Sequence, residues 1–140
     1  MNKTMIYLLW AARLGAAIIL LQTLYFKFGS EAESIYIFSR LGVEPWGRIG
    51  SGVIELIASV LILIPRTSWI GAGLGLGVMA GAIGPHLTIL GISVLNDGGY
   101  LFFLAVIVAV SCSVILLLTR AEWLPILYSL LGRRTTPTHS

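Results

Sequence analysis

Four long runs of apolar residues divide this sequence, and each is long enough to cross a lipid bilayer as an α-helix. They cover residues 4–28, 47–64, 68–95 and 99–119. A helix needs about 20 mostly apolar residues to cross roughly 30 Å of hydrocarbon. Only 11% of the 140 residues are charged, and the mean hydropathy is +0.95. We therefore predict an all-α membrane protein: a four-helix transmembrane bundle in one domain, residues 1–120, followed by a short C-terminal segment.

The segment between the first two runs, "SEAESIYIFSRLG", predicts a short helix over residues 31–41. Ser30 and Glu33 have the spacing of a capping box, in which each side chain bonds the other residue's backbone N–H. Apolar residues then recur at helical spacing until Gly42 ends the pattern. Because one side of this helix is apolar and the other is charged, we expect it to lie in the membrane interface between the first two spans.

Basic residues near the ends of the spans predict the orientation in the membrane. The side with both chain ends holds Lys3, Arg66, Arg120, Arg133 and Arg134. The opposite side holds Lys27, Arg40 and Arg48, diluted by Glu31, Glu33, Glu44 and Asp97. Since cytoplasmic loops carry an excess of Lys and Arg, we expect an inner cell membrane protein with cytoplasmic N- and C-termini. Residues 121–140 are expected to be an interfacial segment and a disordered basic tail that contacts anionic lipid, not nucleic acid.

The third span is unusually rich in glycine, which is typical of helices that pack closely in membranes. Gly73, Gly77 and Gly81 lie four residues apart on one face, a repeated G-x-x-x-G pattern. This face could pack within the monomer, which we favour, or join two copies of the chain. Pro85 removes a backbone donor and should loosen the helix immediately before His86.

Four ionisable residues fall inside the predicted spans: Arg13, Lys27, Glu55 and His86. Charges inside a bilayer are costly and are expected to pair or to line a polar cavity. A rise of about 1.5 Å per residue places Arg13 roughly 14 Å above one boundary and Glu55 about 12 Å below the other. In a core of about 30 Å the two are nearly level. We predict an Arg13–Glu55 ion pair between the first two spans.

The same depths predict a polar pocket that opens toward the outer face. Glu55 and His86 are its predicted catalytic residues, because a carboxylate and an imidazole can exchange protons near neutral pH. Its predicted substrate-binding residues are Arg13, Lys27, Asn96 and Asp97. The alternative is a structural role, in which the ion pair fixes helix register and His86 is a hydrogen-bonded core residue. No metal site is expected, since His86 has no second ligand at metal-binding spacing.

The arrangement resembles the DoxX family of small four-helix membrane proteins, which is related to DoxD, a membrane subunit of thiosulfate:quinone oxidoreductase. The resemblance covers about residues 6–120. It rests on Arg13 in the first span, "FKF" at its end, "GVIEL" in the second span, "PRT" in the turn and a glycine-rich third span that ends at His86. The resemblance implies membrane redox chemistry with quinone and with partner proteins.

Three functions are compatible with these features. The first is a quinone-linked redox membrane subunit that has no cofactor motif of its own and receives electrons from a partner protein. The second is a non-catalytic assembly protein that binds a partner, or a second copy, through the glycine face of the third span. The third is a small proton-coupled transporter, although no inverted repeat of the kind common in transporters is visible.

Overall fold

A computed structural model describes residues 1–29 and 31–133, and within these residues the regular elements are all helical. They are α1 Lys3–Phe28, α2 Ala32–Arg40, α3 Trp46–Leu63, a 3₁₀ turn Pro65–Thr67, α4 Ser68–Pro85 with a π turn His86–Leu90, α5 Tyr100–Leu118 and α6 Arg120–Arg133. Four segments are long and apolar enough to span a membrane: Lys3–Phe28, Trp46–Leu63, Pro65–Leu90 and Tyr100–Leu118. The prediction of an all-α membrane bundle is confirmed, and the chain is a multi-pass membrane protein.

The four spanning helices form a ring in which α1 and α4 each pack against both α3 and α5. Small residues dominate the contact between them: Ala16, Ala17, Ala58, Ala72 and Cys112 are almost completely buried. Larger apolar side chains point outward along every helix, as expected where lipid is the surrounding solvent. We call the end of the bundle that carries α2 the α2 end, and the opposite end the α6 end.

Glycine does allow helices to approach closely in α4, but at positions other than the predicted ones. A Cβ on Gly71 would lie 2.6 Å from the Ile62 backbone nitrogen, and one on Gly75 would lie 3.0 Å from Cys112 Sγ. In contrast, a Cβ added to Gly73, Gly77 or Gly81 would have no atom of another residue within 4 Å. The expectation that these three glycines pack within the monomer is therefore wrong, and association with a second chain stays a prediction.

The turn between α3 and α4 is held by side chains, because Pro65 has no backbone N–H and the last carbonyls of α3 need other donors. Arg13 Nε donates to the Ile62 carbonyl at 2.8 Å, and Arg13 Nη2 donates to the Leu63 carbonyl at 2.6 Å. The hydroxyl of Ser68 also donates to the Ile62 carbonyl, at 2.9 Å. Arg13, only 2% exposed, thus joins α1 to the α6 end of α3.

The two short helices lie at opposite ends of the bundle. At one end α2 contacts α1, α3 and the π turn, and its bounds agree with the predicted interfacial helix. Its predicted N-cap, Ser30, lies outside the described residues. The helix α6 extends to Arg133, whereas residues 121–140 were predicted as an interfacial segment and a disordered tail. The rest of the predicted disordered tail, residues 134–140, also lies outside the described residues.

Candidate functional site

A cavity of about 290 Å³ lies inside the bundle toward the α2 end. All of α1 to α5 and the π turn contribute to its wall. Most of the lining side chains are apolar, among them Leu20, Phe38, Met79, Leu104 and Val108. The polar ones are Thr23, Lys27, Ser51, Glu55 and His86. An apolar wall with a few converging polar groups is typical of sites for small organic ligands.

The main polar feature of the wall is an ion pair between Lys27 and Glu55. Lys27 Nζ bonds Glu55 Oε1, and the Thr23 hydroxyl donates to Glu55 Oε2 at 3.1 Å. The Glu55 side chain is 1% exposed, so its charge is held by these two groups. Phe38 of α2 covers the pair, with its ring centroid 5.8 Å from Lys27 Nζ.

The predicted Arg13–Glu55 ion pair is wrong, and side-chain direction explains the error. Side chains on a helix tilt toward its N-terminus. Those of α1 tilt toward the α6 end, so Arg13 reaches the end of α3 and Lys27 reaches back into the bundle. Glu55, on the antiparallel α3, tilts toward the α2 end and meets Lys27. The estimate from the sequence compared only the depths of the two backbone positions in the membrane and took no account of side-chain direction.

A second ion pair supports the first, and it was missed from the sequence. Arg48 donates to Glu44 Oε1 at 2.9 Å and to the backbone carbonyl of Lys27, one of the unsatisfied carbonyls at the end of α1. Arg48 is buried, whereas the sequence placed it at the membrane edge among the flanking cations. Its i,i+4 spacing from Glu44 was the available signal.

His86 begins the π turn and also lies in the cavity wall. Its Nδ1 is 2.9 Å from the carbonyl oxygen of Gly91. Because a carbonyl only accepts, Nδ1 carries the proton of this bond, and Nε2 is the ring nitrogen that this bond does not use. The ring packs edge-on against Phe102, with centroids 5.7 Å apart. His86 thus stabilises the loop after α4 through this bond and also contributes its imidazole to the cavity wall.

Arg13, Asn96 and Asp97, three of the predicted pocket residues, do not belong to the cavity wall. Asp97 accepts backbone N–H bonds from Val94 at 3.0 Å and Gly99 at 2.8 Å and so holds the loop before α5. Burial opposes ionisation of Asp97, but these bonds, a third to Leu101 and the nearby His86 together lower its pKa. Asn96, with φ of +61°, forms the tight turn of the same loop. Asp97 and Asn96 therefore have a structural role in the loop before α5.

Among residues 1–29 and 31–133 there is no group of three or more His, Cys, Asp or Glu side chains that could hold a metal ion. The cavity suits an organic ligand, because apolar side chains would surround its body and Lys27, Ser51 and His86 could bond a polar head. Fold and cavity define the class: a small multi-pass membrane protein with a ligand-sized cavity among its spans. Comparison with known proteins finds no family model, no curated protein and no solved structure that the chain matches.

Proposed function

We propose that this chain is the quinone-binding membrane subunit of a redox complex, with the quinone headgroup in the cavity at the α2 end. The observation that carries the proposal is the Lys27–Glu55 ion pair, a buried charge pair that faces an apolar cavity inside the membrane. The resemblance to the DoxX family supports the same assignment. We further propose an inner-membrane location with cytoplasmic termini, on the distribution of Lys and Arg.

Quinone reduction takes up two electrons and two protons, and the electrons come from a partner protein, since this chain has no cofactor motif of its own. The Lys27 ammonium is the cavity's donor for a carbonyl oxygen, because it has three N–H groups, whereas the Ser51 hydroxyl donates to the Arg48 carbonyl at 3.1 Å. His86 Nε2 is the group of the cavity wall that exchanges a proton with the headgroup, because Nδ1 is already held by Gly91. The ion pair with Glu55 holds Lys27 Nζ in place in the cavity wall.

The direct test is the affinity of the purified chain, in nanodiscs, for a short-chain quinone. Glu55→Gln leaves Lys27 without its counter-ion, so we expect binding to weaken by about tenfold or more. Glu122→Gln is the matched control, since it makes the same change on an exposed residue of α6 far from the cavity. Quinone affinity that is equal in both variants and the wild type would rule out the ion pair as the binding group.

His86 is tested by a substitution that separates its two nitrogens. Asparagine places an N–H near the position of Nδ1 and should keep the bond to Gly91, whereas it has no group at the position of Nε2. In the complex with its electron-donating partner, we expect His86→Asn to bind quinone normally and to reduce it slowly. If His86→Asn turns over as fast as the wild type, His86 takes no part in proton transfer.

The open glycine face favours a second candidate function, a membrane assembly protein. Gly77 is exposed and has no atom within 4 Å of a Cβ position, so another helix could approach it closely. Gly77→Leu should then release a co-purifying membrane partner. Gly15→Leu is the matched control, because Gly15 on α1 also faces open space. Loss of the partner in both variants, or in neither, would argue against this function.

A further inference from the structure

A second depression, which we call the α4–α6 groove, lies at the end of the bundle opposite the cavity. It has a volume of about 540 Å³ and is bordered by the start of α4, the end of α5 and the length of α6. Its walls include Trp69, Gly73, Leu116, Trp123, Ile126 and Leu130. Every residue that lines the groove is apolar or a tryptophan, so its occupant must be largely apolar.

The groove is open because α6 is held away from α4. The indole Nε1 of Trp123 donates to the Leu116 carbonyl at 2.8 Å, which fixes the Trp123 ring as one wall. At the floor, nothing lies within 4 Å of the position that a Cβ on Gly73 would take. From Trp123 to Leu130 the wall runs for seven residues, or about 10 Å of helix. A slot of this kind suits a flexible hydrocarbon chain.

Each tryptophan of the groove follows an arginine at helical spacing. Arg66 precedes Trp69 by three residues, and Arg120 precedes Trp123 by three. In helical backbone this spacing places each arginine on the same face as its tryptophan. Both arginines are exposed, and neither forms an ion pair with any residue of the described chain. Two guanidinium groups that lack a carboxylate within the described residues are therefore available to an anion at the mouth of an apolar slot.

We propose that the α4–α6 groove is a binding site for an anionic phospholipid, with an acyl chain between α4 and α6 and the phosphate held by Arg66 and Arg120. The charges favour lipid over a second copy of this chain. A symmetric dimer through this face would add two further arginines to the same interface, and this accumulation of positive charge would oppose it. An anionic lipid headgroup instead neutralises them, and each arginine should contribute up to about fivefold in affinity.

The two groove tryptophans permit a site-specific test with brominated lipid, which quenches tryptophan fluorescence on contact. A variant that keeps Trp123 as its only tryptophan, with the other three replaced by phenylalanine, reports on the groove. A variant that keeps only Trp46, exposed at the α2 end, reports on the general lipid surface. We expect brominated phosphatidylglycerol to quench Trp123 at severalfold lower mole fraction than brominated phosphatidylcholine, and to show no such preference at Trp46.

Two sets of substitutions then separate headgroup from acyl-chain recognition. Arg66→Gln and Arg120→Gln should each remove up to about fivefold of the preference for phosphatidylglycerol. Gly73→Leu puts a bulky side chain into the groove from a position where a Cβ meets open space, and it should reduce quenching by both lipids. Equal quenching by both lipids at Trp123, an equal preference at Trp46, or a preference unchanged by both arginine substitutions would overturn the proposal.

A second measurement needs no tryptophan substitutions, so it tests the proposal even if the single-tryptophan variants do not fold. In native mass spectrometry from mixed-lipid nanodiscs, the wild type should retain phosphatidylglycerol, and the Arg66→Gln/Arg120→Gln double variant should retain several times less. A dimer that Gly73→Leu abolishes, without selective lipid retention, would assign the groove to a second copy of the chain and contradict the lipid site.

Discussion

Three side chains, two on α1 and one on α3 itself, hold the buried Glu55 carboxylate or the residue that pairs with it. Lys27 and Thr23 bond the two oxygens, and Arg48 fixes the end of α1 through the Lys27 carbonyl. A buried ion pair of this kind is poor evidence for stability, since desolvation offsets much of the attraction. Its position on a cavity wall is what favours a functional role.

Removal of one partner should be far more damaging than removal of both. Lys27→Met leaves Glu55 buried without a counter-ion, and we expect a loss of about 3–5 kcal/mol in unfolding free energy. The double variant Lys27→Met/Glu55→Met should recover most of that loss, because no unpaired charge remains. Arg40→Met, an exposed change on α2, is the control. Unfolding in mixed detergent measures all three, and a double variant no more stable than Lys27→Met would contradict the ion pair.

Asp97 should give the protein a pH dependence at the acidic end. Its pKa in the folded chain lies below the ordinary value of 3.8, so the stabilisation is present above pH 3.8 and is lost as the pH falls through the folded pKa. Asp97→Asn keeps an oxygen acceptor for the loop but cannot titrate. We expect its thermal stability to show a smaller decline below pH 3.8 than the wild type shows. Equal declines would mean that Asp97 is not stabilised as an anion.

At the scale of elements, helix bounds follow from composition and end signals, whereas side-chain partners do not. The apolar runs located all four spans, and Gly91, with φ of +78°, explains why the third ends at Leu90 and not at residue 95. The cavity residues Lys27, Glu55 and His86 could be proposed because ionisable groups in lipid are rare. The role of Arg13 could not, because it depends on how α1 and α3 are rotated and on the direction of a long side chain.

The Arg13 contacts belong to the α3–α4 turn and should affect stability without affecting the cavity. Arg13→Met leaves the Leu63 carbonyl without its Arg13 donor and the Ile62 carbonyl with the Ser68 hydroxyl alone, at an expected cost of about 1.5 kcal/mol or more. Arg13→Lys, which can still donate to a carbonyl, should cost less. Unfolding free energy and quinone affinity are measured on the same samples. If an Arg13 variant folds normally but binds quinone with a changed affinity, Arg13 belongs to the binding site.

The two classes of glycine in α4 predict opposite effects of the same substitution. Gly71→Ala would place a methyl group 2.6 Å from backbone atoms that cannot move aside, and it should strongly destabilise the bundle. Gly77→Ala meets open space and should be neutral or stabilising by up to about 1 kcal/mol, since alanine favours helix. Unfolding in detergent compares them directly. A destabilising Gly77→Ala would show that this face is packed in the isolated chain.

On the scale of the whole molecule, the bundle carries its two candidate sites toward opposite ends. The cavity with the Lys27–Glu55 pair lies at the α2 end, and the groove flanked by Arg66 and Arg120 lies at the α6 end. Core residues such as Ala16, Ala58 and Ala72 line neither site, so a ligand at either one need not displace them. This separation permits each site to be altered while the other serves as an internal control.

The central claim, that the cavity beside Glu55 holds a quinone headgroup, is tested most directly by photo-crosslinking. A quinone with a photoreactive headgroup is bound to the chain in nanodiscs, activated, and located by peptide mass spectrometry. We expect the label on cavity-lining residues of α1, α3 and the π turn, displaced by unlabelled quinone and lost in Glu55→Gln. Label spread over the lipid-facing surface, or label at the cavity that Glu55→Gln leaves unchanged, would contradict the claim.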